Sequence, residues 1–285
     1  SITGEVLWSL EEPLTDMRPE RVCQQAAQLV AHACAQLAER QLRLTGIGIG
    51  LPGAFDDATG VLRFAPNLGW RNVDFVPLIT QALNDAGVPE VPVHVQNEAD
   101  TAALSEYEFS PSDAQNSLIF VSCGAGVGAG IVLNDRLFTG AQGMAGEIGH
   151  SILQLDGLRC SCGRQGCAET FFGARALTQL PEPAQGGRYL GVVLQNLWTT
   201  FNPSVLVVGG PSCERYPDIV QVARTTLQTY ADSTGMTAPT LRSARYGLLA
   251  SAVGAAALVL HHELRPMHSR APLTVASASD DTDTL

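Results

Sequence analysis

The sequence predicts an α/β fold with room for one large domain or two lobes. Three observations carry this. Short apolar runs alternate with stretches of helical period, and polar residues stand at the strand tips, the grammar of a wrapped α/β sheet. At 285 residues and 45% hydrophobic, the chain can bury a large core. A knot of one histidine and three cysteines then interrupts the alternation in the second half.

The elements follow in order. Ser1-Ile2-Thr3-Gly4-Glu5-Val6-Leu7-Trp8 reads as a turn and the outgoing strand of a hairpin (4–11), whose partner is expected upstream of Ser1. Residues 18–40 place Val22, Ala26, Leu29, Val30, Ala33 and Leu37 at helical spacing, predicting a long amphipathic helix. A strand over 45–51 is stopped by Pro52-Gly53, and a second over 61–64 leads into Ala65-Pro66-Asn67-Leu68-Gly69-Trp70. A helix over 75–86 ends at Gly87. A strand over 91–95 carries Asn97-Glu98-Ala99-Asp100 at its carboxyl end, with a helix over 101–109 behind it. Ligands of such sheets bind beyond the carboxyl ends of the strands.

Ser110-Pro111-Ser112-Asp113 marks a lobe boundary. Strands over 117–123 and 129–133 flank the glycine-rich 124–128, and Asn134-Asp135 turns the chain into a hairpin with 136–139. Beyond the knot come a helix over 191–201, a buried strand over 204–208 closed by Gly209-Gly210, and a helix over 217–230. A small-residue helix over 247–263 is suited to close packing between lobes. From residue 266 the composition turns to Ser, Ala, Thr and Asp, that of a disordered tail.

Charge and cysteine usage narrow the function. A net charge of −11 repels phosphate backbones, so these residues do not themselves form a nucleic-acid-binding surface. Of seven cysteines, Cys23, Cys34, Cys123 and Cys213 lie outside the knot and show no pairing pattern. That is the usage of reduced thiols in a cytoplasmic protein. No apolar run reaches membrane-spanning length, and no secretion signal is visible.

The knot carries the clearest chemistry. Gly146-Glu147-Ile148-Gly149-His150 is followed after nine residues by Cys160-Ser161-Cys162-Gly163-Arg164-Gln165-Gly166-Cys167-Ala168-Glu169. His150, Cys160, Cys162 and Cys167 can close a tetrahedral zinc shell with no open position, hence a structural site. The alternative is a loop of unligated cysteines, or a disulfide with a spare thiol. Two carboxylates, Glu147 and Glu169, flank this knot and would be held still by it.

Other constellations are weaker. Asn97-Glu98 at a strand tip can grip neighbouring hydroxyls, with Glu98 able to take a proton; the alternative is a helix cap. Asn67 with Trp70 suits a polyol, edge and face, against the alternative of a turn with a core tryptophan. Gly124, Gly126 and Gly128 let backbone amides approach a phosphate, and Gly209-Gly210 end a strand, but either pattern also serves simple steric needs.

Together these motifs resemble the ROK family of sugar-responsive repressors and kinases. The resemblance runs from the first residues to about residue 264 and is most specific across Gly146–x–His150 and the Cys160–x–Cys162 to Cys167–x–Glu169 run. It implies a two-lobed, actin-like and hexokinase-like (ribonuclease H-like) ATPase fold with a sugar cleft between lobes. The N-terminal lobe would comprise 1–110 and be completed by the helix 247–264, and the other lobe would comprise 111–246. The cleft would be lined by Gly53, Asn67, Asn97, Glu98, Glu147, His150 and Glu169. His150 would ligate zinc through one ring nitrogen and a sugar hydroxyl through the other.

Two departures point to the regulator branch. Family kinases place an aspartate as catalytic base where this chain has Glu98, and the extra methylene moves the carboxylate by about 1 Å, a misplacement that can cost on the order of 10²-fold. The phosphate loop of the kinases belongs on a strand before Ser1. The sequence therefore reads as the sugar-binding effector domain of a transcriptional repressor. A winged helix-turn-helix upstream would contact DNA, and the regulator would be a homodimer or homotetramer. The alternative is an ATP- and Mg²⁺-dependent sugar kinase, with Glu98 as base and the glycines at 124, 126, 128, 209 and 210 around the nucleotide. A third reading is a carbohydrate-binding protein unrelated to transcription.

Overall fold

The computed structural model describes residues 1–109 and 117–264; the boundary expected at 110–113 and the tail from 266 lie outside the described residues. The helix expected over 18–40 is α1 (Pro19–Glu39), with proline at its first position, where the missing N–H costs nothing. The strand expected over 4–11 does not form. No described strand offers these residues a ladder, and the Leu7 carbonyl instead accepts from the Arg40 guanidinium (3.0 Å). The turn before it is present, with Gly4 at a φ of 77°.

Next come β1 (Ile47–Leu51), β2 (Ala54–Asp56), β3 (Val61–Ala65), β4 (Trp70–Asp74), α2 (Phe75–Asp85), β5 (Val93–Asn97) and α3 (Glu98–Phe109). β1 pairs in parallel with β5, from Ile47 opposite Val93 to Leu51 opposite Asn97. β2, β3 and β4 make a separate antiparallel sheet. α1 and α2 cover this half, and Leu62, Phe75, Ile79 and Leu83 fill its core.

The second half holds β6 (Ser117–Cys123), β7 (Val127–Leu133), β8 (Arg136–Leu137), α4 (Glu169–Phe172), α5 (Ala174–Gln179), α6 (Gly186–Phe201), β9 (Val205–Gly209), α7 (Pro211–Arg215), α8 (Asp218–Thr234), β10 (Thr240–Ser243) and α9 (Ala250–Leu264). Its sheet runs β10-β9-β6-β7-β8, parallel through β10, β9 and β6 and antiparallel beyond. β6 and β9 are buried on both faces, which explains their continuous apolar runs. Ile119, Val121, Leu206 and Val208 face α6 and α8, while Leu118, Phe120, Val205 and Val207 face the side of α3. The β7–β8 turn uses Asn134 and Asp135, both at positive φ, as a two-residue hairpin requires.

α3 and α9 pack against each other and join the halves, α9 lying on β1 and α3 on β6 and β7. A Cβ on Gly254 would collide with the Thr101 carbonyl, and one on Gly130 with that of Ala99. Only hydrogens fit at these crossings, which fixes how the two sheets face one another. No described helix is long and apolar enough to cross a membrane.

Candidate functional site

The carboxyl ends of β1 and β5 and the loops of the second half meet at one cleft. Gly53, Asn67, Asn97 and Glu98 line it from the first half, and Gly126, Gly128, Glu147, His150 and Glu169 from the second. The space it offers is about 50 Å³, below the roughly 300 Å³ of the smallest ordinary ligand pockets. Beyond Asn67 and Glu169 lies a second chamber of about 360 Å³ that shares those two residues with the cleft.

Asn97 is the structural pivot. It ends β5, two residues later than the strand expected from sequence, and α3 begins at Glu98 rather than near Thr101. Its Oδ1 accepts from the N–H groups of Ala99 (2.7 Å) and Asp100 (3.3 Å), so the side chain caps α3. Its Nδ2 donates to the Gly53 carbonyl at 2.7 Å. Capping and cleft lining are thus both true of this residue, and one Nδ2 hydrogen is left for a guest. Gly53 holds a φ of 100° where a Cβ would strike the Phe64 carbonyl. Gly126 sits between the Asn67 amide and the Glu169 carboxylate, with space for no side chain without displacing one of them.

Four acids crowd this region. Burial pushes the Glu98 carboxyl up, and burial with the neighbouring Glu169 and Glu98 charges does the same to Glu147. Asp100, not singled out from the sequence, is the most perturbed. It is 3% exposed, its Oδ1 has no hydrogen-bond partner, and burial together with Glu147 and Asp57 raises its pKa well above the usual range. The readable signal was its place three residues after Asn97, one helical turn on the same side. Glu169 accepts from the Val127 N–H (3.3 Å) and the Ser161 hydroxyl (3.3 Å), which aim its carboxylate at the cleft.

A carboxyl whose pKa rises on folding supports the folded state below its unfolded pKa, and that support is lost as pH climbs through the folded value. His150 and His262, whose pKa values burial lowers, act in the opposite sense. The Asp100 contribution is isolated by comparison. Between pH 5 and pH 8, metal-free wild type is expected to lose more Tm than Asp100→Asn, and equal losses would contradict a buried, repelled carboxyl at this position.

His150, Cys160, Cys162 and Cys167 stand together, all four ligand atoms within 4.8 Å of one another. Zinc bonds of about 2.3 Å to sulfur and about 2.0 Å to nitrogen at tetrahedral angles require S···S edges of about 3.8 Å and S···N edges of about 3.5 Å. Cys162 and Cys167 sulfurs are 3.7 Å apart, and Cys160 Sγ is 3.6 Å from His150 Nδ1. These edges fit a metal shell and are far too long for a disulfide of about 2.05 Å. Burial lowers the His150 pKa, in the sense that favours the neutral form a ligand needs, and its Nε2 lies 3.9 Å from Glu147 Oε2. Burial opposes the Cys162 thiolate, but Arg164 and the adjoining thiols outweigh it and bring its pKa to about 7.

Some expected residues lie elsewhere. Trp70 is a core residue, 5% exposed, tilted against Phe75 and donating from its indole N–H to the Met17 carbonyl (2.6 Å). Gly209 and Gly210, expected near a nucleotide rather than in the sugar cleft, stand where β9 gives way to α7. Gly209 packs on Phe120 and Ala244, and Gly210, at a φ of 95°, lies against Cys123. Gly124 faces Pro211 on that same side, so the five glycines split between two places. Cys123 and Cys213, unpaired in sequence terms, are neighbours whose thiols hydrogen-bond while both stay free.

The ROK family profile matches residues 11–186. The chain belongs to the ROK family. The xylose repressor of Bacillus subtilis is 27% identical over 288 residues, covering 92% of this chain and 73% of that protein. The ROK hexokinase of Thermus thermophilus superposes with a TM-score of 0.70 at 28% identity, covering 85% of this chain and 88% of the other. A ROK family transcriptional regulator, a homologue of the E. coli MLC protein, gives a TM-score of 0.71 at 26% identity, covering 90% and 73%. The ROK chain accordingly has the two-lobed actin-like, hexokinase-like fold.

Proposed function

We propose that this ROK chain is the sugar-sensing part of a transcriptional regulator, binding a monosaccharide between its lobes without phosphorylating it. The observation that carries this is the cleft wall itself. Amides and acids converge on it from both halves (Asn67, Asn97, Glu98, Glu147, Glu169), with His150 Nε2 among them and no Lys or Arg in the lining. Carboxylates and amides match hydroxyl donors and acceptors, whereas a transferring phosphoryl group needs cationic compensation. Glu98 in place of an aspartate base, and likeness to the xylose repressor and the MLC homologue, support the same reading.

The residues proposed to contact the sugar are Gly53, Asn67, Asn97, Glu98, Glu147, His150 and Glu169. His150, Cys160, Cys162 and Cys167 would hold a structural zinc, which supplies a cross-link that fixes the loop from Glu147 to Glu169. Sugar entry biases the angle between the lobe of residues 1–110 with helix 247–264 and the lobe of 111–246. A ligand shifts that equilibrium only through its different affinity for the two states. In the cytoplasmic regulator this angle would set the spacing of winged helix-turn-helix heads, N-terminal to these residues, in a homodimer or homotetramer on DNA.

A second reading is an ATP-dependent sugar kinase, favoured by likeness to the Thermus hexokinase, with Glu98 as base and the nucleotide near Gly124, Gly126, Gly128, Gly209 and Gly210. Calorimetry with pentoses and hexoses, run beside a coupled ADP-release assay with ATP and Mg²⁺, separates the two. The sensor predicts saturable binding of one sugar per chain and no sugar-dependent ADP release. Turnover that Glu98→Gln abolishes would overturn it in favour of the kinase.

A further inference from the structure

Three of the chain's six histidines gather where the end of α9 meets β5 and α3, and none of them lines the cleft. His94, on β5, and His262, in the last turn of α9, lie face to face with ring centroids 4.5 Å apart and planes within 7°. His94 Nε2 is 3.0 Å from Glu263 Oε1, and the His261 ring meets that of His262 edge-on at 6.0 Å. His261 Nδ1 in turn lies 3.4 Å from Glu108 Oε1 at the end of α3. One helix end is thus tied to two other elements, and every tie uses a group that titrates near neutrality.

The middle of α9 is fixed by sterics that no proton changes. A Cβ on Gly48 would strike the Ala255 carbonyl and one on Gly254 the Thr101 carbonyl, so β1 and α3 hold that part of the helix at close range. β1 brings no titratable side chain to it. Among the described residues, the charged groups acting on His262 are His94 on β5, His261 and Glu263 on α9 itself, and Asp57 just beyond β2, with Glu108 of α3 paired to His261.

We propose that His94, His261 and His262 form an acid-sensitive latch, which holds the last turn of α9 on β5 and α3 while at most one of the two stacked rings is charged and releases it when both are. A first proton is accommodated, since Glu263 and Glu108 stand ready to compensate it and a helix C-terminus favours positive charge. A second sets two like charges 4.5 Å apart across a stack whose inner faces are withdrawn from water. Burial, then the facing His94 and His261 charges, lower the His262 pKa against the pull of Glu263 and Asp57. A histidine whose pKa is depressed on folding supports the folded state above its unfolded value and loses that support as pH falls through the folded one. The latch accordingly holds at pH 7.5 and opens below the ordinary histidine value of about 6.5. It stands apart from the sugar-sensing reading, and its test needs no ligand.

The test is backbone hydrogen exchange of the whole chain at pH 7.5 and pH 5.5, corrected for the intrinsic pH dependence of exchange. In the wild type, protection over 258–264 is expected to fall roughly fivefold or more at the lower pH, while that over 250–256 holds. His262→Phe keeps a ring on His94 but cannot take a charge, and its protection should be the same at both pH values. His262→Ala removes the stack, and should be as poorly protected at pH 7.5 as the wild type is at pH 5.5. In ring NMR titrations, His94→Gln is expected to raise the titration midpoint of His262. The proposal is overturned if the wild type shows no local loss, if His262→Phe loses as much, or if His262→Ala stays fully protected at pH 7.5. It is equally overturned by a loss of the same size throughout the chain, or by a His262 midpoint that His94→Gln leaves in place.

Discussion

Cys162→Ser is expected to empty the metal site and loosen the cleft in one step. A hydroxyl at this position is a poor zinc ligand, and the three remaining groups leave an open shell. Loss of zinc affinity should exceed the roughly 10- to 100-fold that loss of an outer-shell partner costs. Metal analysis of purified variant and wild type reads this directly, with one zinc per chain expected only in the wild type. The effect reaches the cleft because Glu169 sits two residues after Cys167, and Glu147 three before His150. Without the cross-link, the Ser161 hydroxyl and the Val127 N–H no longer hold Glu169 against a fixed loop. Thermal unfolding should move to lower temperature in the variant, and adding chelator should bring the wild type to the same place. A variant that keeps its full zinc content would contradict the ligand set.

Asn97→Asp is expected to be more damaging than its size suggests. Aspartate is as good a helix cap as asparagine, so the bonds to the Ala99 and Asp100 N–H groups survive. The donor to the Gly53 carbonyl does not, and a further carboxylate is set beside Glu98 and near Glu147 and Asp100. An orphaned, half-buried carbonyl with added like-charge repulsion costs about 2–4 kcal/mol. The loss should be largest near pH 8. It should shrink near pH 5, where a protonated aspartic acid can donate to Gly53 again. Asn97→Ala loses cap and donor alike but adds no charge, so its cost of about 2 kcal/mol should hardly vary with pH. Denaturant unfolding of both variants at the two pH values decides the matter. A pH-independent loss for Asn97→Asp would place the effect outside the acid cluster.

The His150, Cys160, Cys162 and Cys167 cluster was legible because all four side chains fall within one short, glycine-broken stretch, where local geometry leaves few other outcomes. Long periodic elements such as α1 and the doubly buried β6 and β9 were equally plain. β2, β4 and β10 were not, being short strands whose identity comes from partners rather than from their own pattern. Residues 4–11 show the converse, since their alternation suits a strand but no ladder in the described structure receives it. Within the cleft, Asn97 and Glu98 were readable from their strand-tip position. The place of Asp100 one turn after Asn97 was visible, but its significance was not, because that lies in burial near the charge of Glu147, 47 positions further along the chain. Trp70 followed the packing alternative for the same reason, as Phe75 and the Met17 carbonyl offered its ring and its N–H a better environment than the cleft did.

In the proposed sensor, a metal-clamped loop would present Glu147, His150 and Glu169 to a polyol held from the other side by Asn97 and Glu98. Its most direct test is calorimetric titration of the best-bound sugar into zinc-loaded, zinc-stripped and zinc-restored protein. Saturable binding at one site per chain, weakened at least tenfold on stripping and recovered on restoring the metal, is the predicted result. Unchanged affinity in protein shown to be free of zinc would contradict it.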